Sequence, residues 1–107
     1  MSEVVLVIMA DTELQDALVD WLLSFQDDIV FMSEVVNCYG VDRRSMRLAD
    51  QVTGYQPKLT FQVQVPLVRA QAICQGLGAA FANTRLRYWI TPVLQTGYLE
   101  ANQLREG

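Results

Sequence analysis

The sequence contains no histidine, the residue on which catalytic triads and most zinc centres depend. Lys58 is its only lysine, so catalysis through a lysine Schiff base is not expected. Among the other residue types, no acid–base pair or activated nucleophile stands out. We therefore expect a protein that is not an enzyme and that holds no cofactor.

The sequence is also poor in cysteine and in long apolar runs. Cys38 and Cys74 are far apart and lie in segments typical of regular elements, which favours buried, reduced thiols over a disulfide or a soft-metal role. The apolar run from Val4 to Ala10 is only seven residues long, and no basic start of a secretory signal precedes it. We expect a cytoplasmic protein that does not insert into a membrane.

Basic residues are missing from the first part of the chain. Residues 1–38 hold eight acids and no base, whereas residues 39–87 hold seven bases and two acids. The formal net charge of −4 therefore hides an acidic beginning and a basic middle. Because overall acidity disfavours broad binding of nucleic acid, we expect no nucleic-acid partner.

What the sequence does contain is a regular succession of strand and helix patterns. Val4 to Met9 is a β-branched apolar run, as in a strand covered on both faces. Thr12 and Gln15 match a capping box, and a helix is predicted from the apolar stripe of Leu14, Ala17, Leu18, Trp21, Leu22 and Phe25. Asp27-Asp28 is typical of a turn before a second strand over residues 29–38.

The second half of the chain continues with a strand, a helix and a strand. Residues 58–65 alternate between apolar and polar side chains, and Pro66 suits the start of a helix. Gly76 and Gly78 either weaken that helix or let another group pack closely on it, and Asn83 can end it in a left-handed conformation. A fourth strand is predicted over residues 86–93.

The predicted order β-α-β-β-α-β is the ferredoxin-like arrangement of the α+β class, an antiparallel four-stranded sheet with two helices on one face. We expect residues 1–100 to form a single domain and residues 101–107 a flexible tail. In a monomer the face without helices would expose apolar side chains, so we expect a homo-oligomer that buries it. The expected interface residues are Thr60, Gln62, Gln64 and Trp89.

Residues 39–57 show no periodicity, and a connection of this length is often functional. Guanidinium groups bind phosphates and carboxylates through paired hydrogen bonds, and this segment has three arginines within five residues. One hypothesis is a loop that binds a small anion or a partner. The alternative is a solvated loop whose charges balance the acidic helix of a neighbouring subunit. The candidate residues are Tyr39, Gly40, Arg43, Arg44 and Arg47.

A second hypothesis, of a different class, is a soft-metal or metal-tolerance protein. Cys38, Met32 and Met46 could approach one another, and sulfur ligands suit Cu(I). Because cysteine and methionine are also common on apolar strand faces, ordinary packing is the alternative for these residues.

The order of elements, with its long second connection, resembles the PII-like superfamily, which includes the PII nitrogen-signalling proteins and the CutA ion-tolerance proteins. Three segments are more closely similar to a bacterial family of unknown function within it: residues 45–54 (SMRLADQVTG), 88–93 (YWITPV) and 97–99 (GYL). Members of that family tend to be encoded beside heavy-metal efflux pumps.

The resemblance implies a PII-like homotrimer in which the three open sheet faces meet at the centre. It also implies that residues 39–57 correspond to the T-loop, the signalling element of PII proteins, and it makes an efflux-system protein a candidate partner. The segment after the second helix, residues 82–87, lacks the glycine-rich turn with which PII proteins hold nucleotide phosphates. Nucleotide binding of the PII kind is therefore not predicted.

Overall fold

The computed structural model describes residues 3–25, 29–42, 44 and 46–100. Four strands and three α-helices follow one another, with a 3-10 turn (Thr12–Leu14) before the first helix. Their bounds are β1 (Glu3–Asp11), α1 (Gln15–Leu23), β2 (Phe31–Tyr39), α2 (Leu48–Thr53), β3 (Tyr55–Pro66), α3 (Leu67–Ala80) and β4 (Arg87–Pro92). Within the described ranges, no helix has the length and apolar character needed to cross a membrane.

The four strands form one sheet in the order β2-β3-β1-β4, and every neighbouring pair is antiparallel. β1 and β3 lie at the centre, while β2 and β4 are the edges. This order, with one helix after β1 and one after β3, confirms the ferredoxin-like α+β fold.

The core lies between the sheet and the two long helices. Alternate residues of β1 are buried, and their cross-strand neighbours on β3 are buried with them, because directly opposite residues share a face. The same cluster includes side chains of both α1 and α3, which places the two helices on one face of the sheet. Its members from these four elements are Val4, Leu6, Ile8, Ala10, Leu18, Leu22, Leu59, Phe61, Val63, Val65, Ala70, Ile73 and Leu77.

The two helices meet where Trp21 of α1 lies on Gly76 of α3. A Cβ atom added at Gly76 would lie only 2.7 Å from Cζ2 of the Trp21 ring, whereas one added at Gly78 would meet nothing within 4 Å. Gly76 therefore permits a close approach of the helices, which is one of the two roles predicted for it. Asn83 has the expected left-handed conformation, with φ of +66°, but α3 itself ends earlier, at Ala80.

The predicted capping box at the start of the first helix is wrong. α1 begins at Gln15, and neither this helix nor the 3-10 turn before it has a side-chain cap. Instead, the 3-10 turn connects β1 to α1, and Asp11 is the residue directly before that turn. The Asp11 carboxylate is bonded to Lys58 Nζ of β3 at 2.5 Å, so it joins two strands rather than capping a helix.

The connection between β2 and β3 is shorter than residues 39–57. Tyr39 pairs with Tyr55 at the end of a long hairpin, so the first residue and the last three of the predicted loop belong to strands. Between them lies α2, which ends at Thr53 and is followed by Gly54 in a left-handed conformation, with φ of +84°. Local turn chemistry explains this helix better than periodicity, because six residues are too few to show a stripe. Asp27-Asp28 and the proposed tail, residues 101–107, lie outside the described residues.

Candidate functional site

The four residues expected at an oligomer interface lie on the sheet face that carries no helix, here called the open face. The strand register aligns Met32, Gln62, Val7 and Trp89 in one row across the sheet. Thr60 and Gln64 lie on the same face of β3, opposite Met9 and Val5. Thr60, Gln62, Gln64 and Trp89 therefore share one face of the sheet, and their role at an interface stays a prediction.

The open face combines apolar and polar side chains. Met32 and Trp89 are exposed at its two edges, and the Arg87 guanidinium lies 5.8 Å from the centre of the Trp89 ring. A shallow cleft of about 190 Å³ between β2 and β3 is lined by Met32, Ser33, Glu34, Thr60 and Gln62. Such a face suits a protein surface better than bulk water, because it offers apolar area together with amide groups that form hydrogen bonds.

The arginines of the connecting segment contact carboxylates of their own chain. Arg47 Nη2 donates to Glu13 Oε1 at 2.7 Å, and this hydrogen bond is the main reason that the pKa of Arg47 is raised. The backbone N–H of Arg44 donates to Asp42 Oδ1 at 3.0 Å. The side-chain Nε of Arg44 lies 3.9 Å from the same oxygen. Arg43 lies outside the described residues.

The Arg47–Glu13 ion pair joins the segment to the start of the first helical turn. It lines a polar cleft of about 180 Å³ that also contains Asp11, Thr12, Asp50, Gln56 and Pro57. Three of the lining side chains are acids and one is a base, so the cleft does not favour a free anion. At the end of the β2–β3 hairpin, the rings of Tyr39 and Tyr55 lie 5.5 Å apart, and Gly40 follows with φ of +81°.

The helix α2 carries a feature that the sequence patterns did not reveal. Leu48 and Val52 are 81% and 87% exposed, although both are apolar. They are four residues apart, so they lie on the same side of the helix. The sequence does contain a signal that could have identified this helix. Leu48 and Val52 are spaced by four residues, and Gly54 follows at the position where glycine commonly ends a helix.

The structure does not bring the three candidate metal ligands together. Met32 and Cys38 lie six residues apart on the extended strand β2, a separation of about 20 Å. Met46 is buried within the connecting segment. Among the described residues, no group of three or more cysteines, aspartates and glutamates is placed to hold a metal ion.

A third cleft, which no sequence pattern indicated, lies between the end of α3 and the start of β4. It has a volume of about 270 Å³ and is lined mainly by apolar side chains, with Arg85 at its polar side. Cys74 also lines it, and burial raises the pKa of this thiol. Arg85 has φ of +58°, a conformation that is rare for a long side chain. The full lining is Ile8, Cys74, Leu77, Gly78, Phe81, Ala82, Asn83, Arg85, Leu86 and Tyr88.

Comparison with known proteins gives a family and a fold. The crystal structure of a DUF3240 family protein from Shewanella baltica OS155 is similar, with a TM-score of 0.73 and 23% identity over 94% of this chain and 99% of that one. At this identity the likeness shows the fold. No curated protein matches the chain. The superfamily relationship and the efflux association stay predictions. Residues 1–100 match a family profile, and the chain therefore belongs to the family described as "Protein of unknown function (DUF3240)".

Proposed function

We propose that this protein is a non-enzymatic, PII-like regulatory module that assembles as a homotrimer through the open face and binds a partner protein through α2. The observation that carries the proposal is the exposure of Leu48 and Val52 on a helix that is held in place at its start. The sequence suggested a loop that binds either a small anion or a partner, and we now favour a partner protein.

The position of α2 supports this role. Its first turn is preceded by Arg47, which the Glu13 carboxylate holds, and Gln51 Nε2 donates to the Met46 carbonyl at 2.9 Å. The helix therefore presents its two apolar side chains without support from a neighbouring element on that side. A partner surface with an apolar groove fits Leu48 and Val52. An efflux-system component is the first candidate, given the resemblance.

The open face supports the assembly. An exposed sheet face with Met32, Val7 and Trp89 in one row is the kind of surface that a soluble domain covers with another chain. The amides of Gln62 and Gln64 would form hydrogen bonds across it. The connecting segments then project from the trimer as separate binding elements.

The assembly is tested by light scattering. We expect a wild-type mass of three times the 12.1 kDa chain, and a chain-sized mass for Trp89→Asp, because each subunit would have to bury an unpaired carboxylate in the interface. Val68 is an exposed residue of α3, on the helix side of the sheet, and provides the control Val68→Asp, which should remain a trimer. Circular dichroism checks that both variants fold. A wild-type monomer at micromolar concentration would overturn the assembly.

The partner role is tested by affinity capture from the source cells with quantitative mass spectrometry. The wild-type bait is compared with Leu48→Ser/Val52→Ser and with a control, Leu23→Ser, which changes an exposed leucine on α1. We expect one protein to be retained by the wild type and the control and to be lost from the α2 variant. Equal recovery with all three baits would contradict docking through α2.

A further inference from the structure

The cleft between α3 and β4 is large enough to hold a side chain from another segment. Its volume of about 270 Å³ exceeds the roughly 150 Å³ of an apolar cavity that binds benzene. Leu77, Phe81 and Leu86 supply an apolar lining, and Arg85 supplies a positive charge. Among the described residues, Arg85 forms no ion pair.

A segment with the complementary character follows β4. Residues 93–100, here called the arm, contain Leu94, Tyr98 and Leu99, which are between 84% and 99% exposed. Glu100 follows them directly. The arm thus presents large apolar side chains and then a carboxylate, whereas the cleft presents an apolar lining and a guanidinium.

The arm does not fill the cleft of its own chain, because the two lie on opposite faces of the sheet. The Gln64 amide donates to the Thr96 hydroxyl at 2.8 Å, and Gln64 belongs to the open face. The backbone N–H of Val93 donates to the Glu3 carbonyl at 3.0 Å, which continues the attachment to β1. The cleft is on the helix side, since Ile8 and Leu77 of the core line it.

We propose that the arm of one chain docks into the α3–β4 cleft of a second copy, with a leucine or tyrosine side chain in the apolar part and Glu100 beside Arg85. The attachment at Gln64 starts the arm on the open face, where the proposed trimer brings a neighbouring chain close. The cleft itself lies on the helix side, away from the open face, so a peptide with the sequence of the arm can test docking on a monomeric variant.

The native thiol in the cleft is a direct reporter of docking. In a Cys38→Ser background, Cys74 is the only thiol, and its reaction with Ellman's reagent measures access to the cleft. In the monomeric Trp89→Asp form of this protein, where an arm reaches a second cleft only by association of two chains, we expect the rate to fall as protein concentration rises, by about tenfold at about ten times the dissociation constant. In an arm variant, Leu94→Ser/Tyr98→Ser/Leu99→Ser, the rate should stay high at every concentration. The synthetic peptide of residues 93–100 should slow it again.

Matched variants test whether the arm protects Cys74 by entering the cleft beside Arg85. Arg85→Ala should weaken protection by the peptide, whereas Arg87→Ala, which changes an arginine on the open face, should not. The peptide should also protect Cys74 in monomeric Trp89→Asp protein, so failure of the trimer and failure of docking are distinguishable. Equal, concentration-independent rates in the parent and the arm variant would overturn the proposal. Protection by the arm that does not depend on concentration in the monomeric Trp89→Asp protein would also overturn it, because the arm would then cover the cleft of its own chain.

Discussion

The two faces of one sheet differ in what already covers them. On the helix side, Leu6, Phe61 and Val63 are fully buried by α1 and α3. On the open face, the neighbouring positions are Val7, Gln62 and Gln64. Among the described residues, no helix packs over them. Strand residues that differ by one position therefore serve two purposes: one set stabilises the folded chain, and the other is available for contacts with other chains.

The largest effect should come from removing a side chain on the helix side. Phe61→Ala should lower the free energy of unfolding by about 3–5 kcal/mol, because it deletes a fully buried ring and leaves a cavity. Its neighbour on the open face provides the control: Gln62→Ala, measured under conditions that keep the protein monomeric, should change it by less than about 0.5 kcal/mol. Urea unfolding measures both. Similar losses in the two variants would mean that the faces do not differ as described.

A smaller effect should separate two glycines of α3. Gly76→Ala should destabilise the fold by about 1–3 kcal/mol, because the new methyl group would overlap the Trp21 ring. Gly78→Ala has open space and should stabilise the helix by about 0.5–1 kcal/mol. Thermal unfolding of the two variants provides the comparison. If both substitutions stabilise the protein, the helices do not approach as closely as the structure shows.

The smallest effect on folding should follow removal of the ion pair at the connecting segment. Both Arg47 and Glu13 are exposed, so solvent and salt screen their attraction. Glu13→Gln should leave the urea midpoint within experimental error of the wild type at both low and high salt. Hydrogen exchange of residues 46–54 is the sensitive measurement, and we expect faster exchange there in the variant. Unchanged exchange would show that α2 does not depend on Glu13.

Sequence patterns predicted the fold well where a periodicity extends over many residues. The alternation of apolar and polar residues over 58–65 identified β3 and its two faces. The polar positions of that alternation, Thr60, Gln62 and Gln64, lie on the open face. The start of the first helix was predicted less accurately, because a 3-10 turn without a side-chain cap precedes α1, and the contact of the adjacent Asp11 with Lys58, 47 positions away in the sequence, was not predicted. No local pattern contains that contact.

The candidate site was predicted less completely. The sequence located the basic segment, but it did not indicate that Arg47 pairs with Glu13 or that α2 exposes two apolar residues. It allowed a metal site in which Cys38, Met32 and Met46 approach one another, yet Met32 and Cys38 lie six residues apart on an extended strand. Parity along a strand gives the face of a residue and not its distance to another.

By itself, the sequence determined which residues form strands and long helices and which side of each is apolar, because hydrogen-bonded backbone geometry imposes periods of two and 3.6 residues on burial. Only the tertiary structure decided which distant groups meet: the Arg47–Glu13 pair, the contact of Trp21 with Gly76, and the separation of the arm from the α3–β4 cleft. Those arrangements depend on how the elements pack in space, and contacts between distant residues leave no period in the chain.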